Sequence, residues 1–243
     1  EKAFNASIGF TYKKGGFTAT VDAYSINVDD RIVLTDNFDA SGLGIPGVEA
    51  AQFFANGVDT RTQGLDLVFT YNTSLNANSS LNIGLIGNMN DLKIDKIHNG
   101  SLNVFTFFGP FSQAYLKAAA PEYKFGLNLG YKNNKFSVNT TLTQFSEVKI
   151  QDFQWVDSPA TNQSEADALY PIATDIYKKA MTVDLNISYE INNALTLTIG
   201  GNNVLNKYAT PQFDGWTDQG GFADSVQMGS DGAYFFGRLS FKL

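Results

Sequence analysis

Several features of ordinary soluble domains are missing from this chain of 243 residues. It has no cysteine, which excludes a disulfide framework, a thiolate metal site and a cysteine nucleophile. Charged residues make up only 17% of it, whereas they supply about a quarter of an average soluble domain. No stretch approaches the roughly 20 consecutive apolar residues of a membrane-spanning helix. Any contact with a membrane must therefore come from strands.

The shortage of histidine and of basic residues limits the chemistry further. His98 is the only histidine, no catalytic constellation accompanies it, and a histidine-rich metal site cannot be built. We predict that His98 is a solvent-exposed loop side chain, and that the protein is not an enzyme and uses no cofactor or metal. Loop acids such as Asp36 and Asp218 predict solvated carboxylates, since no twelve-residue calcium loop is present. The net charge of −7, without a basic patch, disfavours a nucleic-acid partner.

What the chain does have is a period-two alternation of apolar and polar residues. In residues 181–189, one face carries Met181, Val183, Leu185, Ile187 and Tyr189, and the other carries Thr182, Asp184, Asn186 and Ser188. This alternation predicts a strand with one apolar and one polar side. The polar side is rich in Gly, Ser, Thr and Asn and poor in Lys and Glu. That composition suits the lumen of a barrel whose outer side faces lipid.

The pattern predicts nine strands joined alternately by short and long connections. The strands lie near 4–12, 16–35, 59–72, 80–91, 122–132, 135–150, 178–190, 194–205 and 232–243. Short turns at 13–16, 72–80, 132–135 and 192–193 fall at one end of the sheet, and long connections over 36–58, 92–121, 151–177 and 206–231 at the other. Transmembrane barrels have this asymmetry, with short periplasmic turns and long extracellular loops. We predict an all-β fold, a segment of an antiparallel transmembrane β-barrel.

The predicted outer face carries no charge and ends in aromatic residues beside the short turns. Those aromatics are Tyr12, Phe17, Tyr71, Tyr131, Phe136 and Tyr189, and they predict a girdle at the periplasmic interface. The alternative is a soluble sandwich with an aromatic core. Nine strands leave two open edges, where unpaired backbone groups in hydrocarbon cost several kcal/mol each. We therefore expect the remaining strands on a further segment or a separate chain.

Three stretches resemble, in order, the C-terminal barrel of TonB-dependent outer-membrane receptors. Glu1-Lys2, leading through 4–12 to 21–32, resembles the family's "PEKS…G…" and "DYY.I.I.DRI" pair; 53–67 is similar to "FFTNA.DTRT.GVDLV"; 201–208 is close to "NNLFNKKY" and precedes a final strand at 237–243. The family usually ends in an aromatic residue, from which Leu243 departs. That departure concerns the outer-membrane assembly signal rather than the fold.

The resemblance implies an outer-membrane barrel of about 22 strands with a plug, energised from the inner membrane by TonB. Residues 1–243 then form the C-terminal portion of the barrel, about nine strands, without the plug or the N-terminal strands. The implied function is active uptake of a scarce ligand, a ferric siderophore or similar nutrient, as in the iron-complex branch. The implied partners are outer-membrane lipid, the rest of the barrel with its plug, TonB, a small-molecule ligand and a surface lipoprotein or larger envelope complex.

Aromatic residues cluster in the long connections and are the candidate ligand contacts. We predict that Trp155, Tyr170, Phe213 and Trp216 bind ligand, because aromatic side chains offer large contact area at low entropic cost. The alternative is that these residues pack loop against loop.

The same strand pattern is compatible with two other classes of protein. A passive porin or a structural barrel subunit of an envelope complex would share the strand pattern, and a plug domain elsewhere in the gene would argue against both. A soluble all-β adhesin or enzyme domain would be soluble without detergent.

Overall fold

The computed structural model describes residues 1–151, 161–211, 221–222 and 227–242. In chain order the elements are β1 (Lys2–Lys14), β2 (Phe17–Leu34), β3 (Phe38–Asp39), a 3₁₀ turn (Ser41–Leu43), β4 (Ala50–Ala51), β5 (Phe54–Asn76), β6 (Ser79–Ile97), α1 (Val104–Phe107), α2 (Pro110–Ala118), β7 (Tyr123–Asn133), β8 (Phe136–Phe145), β9 (Val148–Gln151), α3 (Gln163–Ala173), β10 (Thr174–Tyr177), β11 (Ala180–Asn192), β12 (Leu195–Asn202) and β13 (Tyr234–Phe241). Within these ranges, no helix combines the length and the apolar character needed to cross a membrane.

Nine of these strands form one antiparallel sheet in the order β1-β2-β5-β6-β7-β8-β11-β12-β13. Every strand in it pairs with its neighbour along the chain, so the nine predicted strands and their up-and-down order are confirmed. The hairpin turns between β1 and β2 and between β7 and β8 contain Gly15 at φ +56° and Asn134 at φ +49°. Two-residue hairpin turns need positive φ, which glycine and asparagine tolerate best. β1 and β13 are the two edges of the sheet.

The strand boundaries differ from prediction at the end of the sheet that carries the long connections, which we call the upper end or top. The strand predicted over 135–150 is wrong as one unit: β8 ends at Phe145, and Val148–Gln151 leaves the main sheet to pair with β10. β5 and β6 run beyond their predicted limits, over 23 and 19 residues, whereas about 9–11 residues suffice to cross a bilayer. The extra length carries these two strands above the apolar band. Helices α1, α2 and α3 occupy the predicted long connections.

Strand register confirms the predicted division of the sheet into two faces. One row of neighbouring residues across seven strands reads Tyr12, Ala19, Phe69, Leu85, Leu127, Leu142 and Val183. Residues directly opposite one another in an antiparallel pair share a face, so this row lies on one side. We call it the outer face. Leu129 and Ile187, on the same side of the interior strands β7 and β11, are 37% and 40% exposed, and exposed apolar side chains of this kind are typical of a surface solvated by lipid.

The opposite, inner face is built from hydrogen-bonded polar rungs. Thr141 donates to Asn128 at 2.8 Å on adjacent strands, and Ser188 and Thr198 share a hydrogen bond of 2.8 Å. Asn82 donates to Asn72 on the neighbouring strand. Small polar side chains that satisfy one another leave this face hydrated, as in the lumen of a membrane barrel.

Above the apolar band, the outer face changes character. Arg61 and Asp95 form an ion pair of 2.9 Å, and Lys93 and Asp91 one of 3.3 Å. Arg61, Gln63 and Leu65 lie on the same side of β5, two residues apart from one another along the strand. Charged side chains on this face would be costly at mid-bilayer depth. The upper parts of β5 and β6 therefore stand outside the hydrocarbon.

Candidate functional site at the barrel mouth

The segment between β6 and β7 folds back onto the inner face at the top of the sheet. Val33, Val58, Phe107 and Phe108 form a buried cluster in which Val58 is fully enclosed. Val58 lies on the same side of β5 as Asp66 and Thr60, which is the inner face. The apolar residues of α1 therefore cover the lumenal side of the strand tops. This packing brings α1 and α2 over the mouth of the barrel.

Asp36 joins this segment to the preceding long connection. Its carboxylate accepts hydrogen bonds from the backbone N–H of Gly109 at 2.6 Å and from the hydroxyl of Ser112. The backbone N–H of Asp36 donates to the carbonyl of Phe107 at 3.2 Å. A carboxylate bonded to a backbone N–H at the start of a helix is favourable because unpaired amides converge there. Asp36 was predicted to be a solvated loop carboxylate, and it is instead a structural anchor of the mouth.

A second layer of loop structure packs against α2. Ala118, Val148, Ile150 and Tyr177 form a buried cluster, with Tyr115 against it. Val148 and Ile150 belong to β9, and Tyr177 belongs to β10. The two-stranded sheet of β9 and β10 is thereby fixed on the side of α2 that carries Tyr115 and Ala118. Aromatic and apolar residues of the long connections thus build small cores of their own.

A cavity of about 760 Å³ opens between the top of β6 and these loop elements. Its walls come from β6, α1, α2, β9 and α3, and they include Asn90, Leu92, Phe105, Gln113, Val148 and Ala166. Ligand pockets commonly enclose about 300–1,000 Å³ and combine apolar walls with a few polar groups. The volume of the cavity is therefore within the range of small-molecule sites.

Charged groups of both signs line this cavity. They are Asp91, Lys93, Lys117, Glu122, Glu147, Lys149 and Asp167. Two of the lysines are paired locally, Lys93 with Asp91 at 3.3 Å and Lys149 with Glu147 at 3.5 Å. Within the described ranges Lys117, on α2, makes no ion pair. Lys117 is therefore the cation in this wall with most freedom to meet an anionic ligand group.

The position of α3 beside the cavity is fixed by the cap at its N-terminus. Glu165 accepts hydrogen bonds from the backbone N–H and the hydroxyl of Thr161 at 2.8 and 2.9 Å, and the backbone N–H of Glu165 donates to Asn162 Oδ1 at 3.1 Å. Reciprocal bonding of this kind satisfies the free amides of a helix start. These donors hold the pKa of Glu165 below its ordinary value, the backbone N–H of Thr161 being the largest cause. The Asn103 amide donates to the Thr161 carbonyl at 3.0 Å, which links the starts of α1 and α3.

Three of the four predicted ligand contacts, Trp155, Phe213 and Trp216, lie outside the described residues. Tyr170 lies in α3, the helix whose Gln163, Ala166 and Asp167 line the cavity. Charged cavity residues such as Lys117 were missed by the sequence argument. The signal that could have found them is the amphipathic Pro110–Ala118 segment, whose Pro at the first position is typical of a helix start.

His98 is not the solvent-exposed side chain that the sequence predicted. Its side chain is only 27% exposed, and its Nε2 lies 2.8 Å from Asp59 Oδ1 and 4.0 Å from Asp30 Oδ1. The pKa of Asp59 is lowered, first by the backbone N–H of Asp30 and then by the bond to His98. The ligand atoms of these three residues lie within 4.8 Å of one another. They are the one group of metal-ligating side chains found in the described part of the chain.

Comparisons with known proteins give the family. The model of the TonB dependent receptor-like beta-barrel family matches residues 1–204. No curated protein matches the sequence significantly.

Solved structures share the fold at low identity. The pyoverdine outer membrane receptor FpvA from Pseudomonas aeruginosa is 16% identical, with a TM-score of 0.58 over 99% of this chain and 30% of that one. The siderophore receptor PirA from Acinetobacter baumannii is 14% identical, with a TM-score of 0.57 over 98% and 31%. The copper transporter OprC is 15% identical, with a TM-score of 0.57 over 98% and 30%. The chain thus spans about 30% of the structures that it resembles. From the family match and the antiparallel sheet with its apolar outer face, we conclude that this chain belongs to the β-barrel family of TonB-dependent receptors of the bacterial outer membrane.

Proposed function

We propose that this chain is part of a receptor that imports a scarce ligand across the outer membrane with energy delivered by TonB. The observation that carries the proposal is the combination of a lipid-facing sheet with loops folded over its lumenal mouth. A passive pore needs an open mouth, whereas a receptor needs folded loop structure that recognises a ligand. The cavity of about 760 Å³ beside α2 supplies such a surface.

Residues 1–243 supply nine consecutive strands, and the remaining strands and a plug complete the barrel. In the described part of the chain, β1 and β13 each have a neighbouring strand on one side only. In hydrocarbon such edges are stable only when other strands cover them. This chain aligns with only about 30% of the length of the solved receptors, which supports a larger barrel in which these residues are the C-terminal portion. The plug and the TonB contact would then belong to the rest of that protein.

The ligand class that we propose is a ferric siderophore or a similar anionic nutrient complex. The similar structures include the pyoverdine receptor FpvA, a ferric enterobactin receptor and the siderophore receptor PirA. Among the described residues, Lys117 makes no ion pair and lines the cavity as an exposed ammonium group. A ligand with exposed oxyanions would accept a charge-assisted hydrogen bond from it. Trp155, Tyr170, Phe213 and Trp216 remain our proposal for apolar contacts with the ligand.

The test is ligand binding and uptake by the full-length receptor. A strain that depends on it for growth under iron limitation should take up a ferric siderophore, and loss of TonB should abolish uptake. Lys117→Gln should weaken binding about tenfold, in keeping with one lost charge-assisted contact. Lys132→Gln is the matched control, because Lys132 pairs with Glu190 at the short-turn end of the sheet.

Three outcomes would decide against parts of the proposal. Uptake that continues without TonB would identify a passive pore. If the Lys117→Gln and Lys132→Gln variants bound the ferric siderophore with equal affinity, the cavity would not be the binding site. TonB-dependent uptake of an uncharged ligand alone would overturn the anionic ligand class. Heat-modifiable gel mobility shows that each variant barrel is folded.

A further inference from the structure

Irregularities of the sheet concentrate around one point on the outer face above the apolar band. The β2–β5 register shifts between Val28 and Arg31 and again between Arg31 and Ile32, and the β5–β6 register shifts between Asp59 and Thr60. Extra residues in a ladder re-aim side chains, and such bulges are frequent beside functional sites. Here they turn the Asp30 and Asp59 carboxylates toward His98, the first residue after β6.

Hydrogen bonds to the backbone position the three residues, and one of them also fixes the Asp59 carboxylate. Asp59 Oδ1 accepts the backbone N–H of Asp30 at 2.9 Å. The backbone N–H of His98 donates to the carbonyl of Gly57 at 2.8 Å. The carbonyl of Asp30 accepts the Asn56 amide at 3.0 Å. The ligand atoms are thus positioned by paired strands rather than by a free loop, and such preorganisation favours a defined binding geometry.

The spacing of the three ligand atoms fits a small divalent ion. Tetrahedral Zn²⁺ with nitrogen and oxygen ligands at about 2.0–2.1 Å places those ligands about 3.3 Å apart. The His98 Nε2 lies 2.8 Å from one carboxylate oxygen and 4.0 Å from the other, so shifts of well under about 1 Å reach that geometry. A hydrogen bond between Asp59 and His98 explains only the 2.8 Å distance. It does not explain why a second carboxylate faces the same nitrogen.

We propose that Asp30, Asp59 and His98 bind a first-row divalent transition-metal ion, with Zn²⁺ as the reference case. One imidazole and two carboxylates match the ligand preferences of such ions, whereas Ca²⁺ and Mg²⁺ prefer an all-oxygen set. Side-chain exposures of 51%, 24% and 27% leave the site open to an ion and to a water ligand.

The location indicates what the ion would do. Asp59 lies on the outer face six positions before Leu65 along β5, which places it about 15 Å above the level of that residue for a strand tilted as in membrane barrels. His98 begins the segment that carries α1 and α2 over the mouth. A metal shared by β2, β5 and His98 would pin the start of that segment to the barrel wall.

The test is Zn²⁺ titration of the full-length receptor by calorimetry in detergent at neutral pH. We expect His98→Gln and Asp30→Asn to lose one binding site, or to weaken it about 10–100-fold. Asp95→Asn is the matched control, because Asp95 is an exposed carboxylate on the same wall that pairs with Arg61 outside the cluster. Hydrogen exchange of residues 99–118 should slow with Zn²⁺ in the parent protein and in the Asp95 variant only.

Three results would overturn the proposal. A Zn²⁺ isotherm unchanged by both cluster substitutions, with folding confirmed by heat-modifiable mobility, would assign the cluster to a hydrogen-bonded role. Equal competition by Ca²⁺ would exclude a transition-metal site. A site lost equally in Asp95→Asn would show that binding does not depend specifically on the cluster.

Discussion

Substitution of Leu127 by arginine tests the assignment of the two faces most directly. Leu127 lies on the outer face of β7, between Leu85 of β6 and Leu142 of β8. Tyr123 and Tyr131, four residues away on either side, lie on the same face. At about 3.4 Å per residue and a tilt of about 40°, each tyrosine is about 10 Å from Leu127 along the membrane normal. Leu127 is therefore close to the middle of an apolar band about 25 Å tall.

The expected loss follows from that depth. An arginine on the lipid face at mid-bilayer costs about 2–4 kcal/mol. Gly126→Arg is the matched control. Gly126 directly precedes Leu127 and lies on the inner face, and a Cβ built on it has no heavy atom within 4 Å. Asn128→Arg should be intermediate, because it removes the acceptor of the Thr141 hydroxyl at 2.8 Å, which is worth about 1 kcal/mol.

The assay is the free energy of unfolding of the full-length receptor in phospholipid bilayers, titrated with guanidinium. Leu127→Arg should lower the midpoint most, Asn128→Arg less and Gly126→Arg least. If Gly126→Arg destabilised the barrel as much as Leu127→Arg, the two faces would be assigned the wrong way round. Equal small losses for all three would show that this part of β7 does not cross lipid.

Three further outcomes follow from local packing. Gly87→Val should lower stability by about 1–3 kcal/mol, because a Cβ there would lie 2.5 Å from the Phe125 ring; an unchanged unfolding midpoint would contradict this. Phe107, in α1, is buried, so Phe107→Ala should destabilise the packing of this segment by about 3–5 kcal/mol. Amide exchange in α2 should therefore accelerate, while the heat-modifiable gel mobility of the barrel stays normal. The lowered pKa of Glu165 means that its carboxylate stabilises the start of α3 above the ordinary pKa, and that this stability is lost as pH falls through the lowered value. The protection factor of the Thr161 amide, taken against the intrinsic exchange rate at each pH, should fall with acidification, and Glu165→Gln should remove that fall.

The period-two pattern predicted the nine strands of the main sheet, their order and its two faces, although it missed the end of β8 at Phe145. Residues 181–189 alternate so strictly that only one register buries no charge in lipid, and β11 adopts it. Local physics decides such features, because a strand's side chains have a fixed period and turns such as that around Asn134 accept few residue types. A resemblance in three ordered stretches led to the same family that the comparison gives.

The arrangement of the long connections depends on contacts between distant segments. The apolar residues Val58 and Phe107 are distant in sequence and meet because α1 folds back over the inner face. His98 looked like an isolated loop residue, yet bulges in two strand pairs bring Asp30 and Asp59 to its ring. A bulge depends on the pairing of neighbouring strands, and loop packing depends on surfaces that exist only once the sheet has formed. Neither leaves a periodic signal in the chain, so the candidate sites emerged from contacts between segments rather than from any one of them.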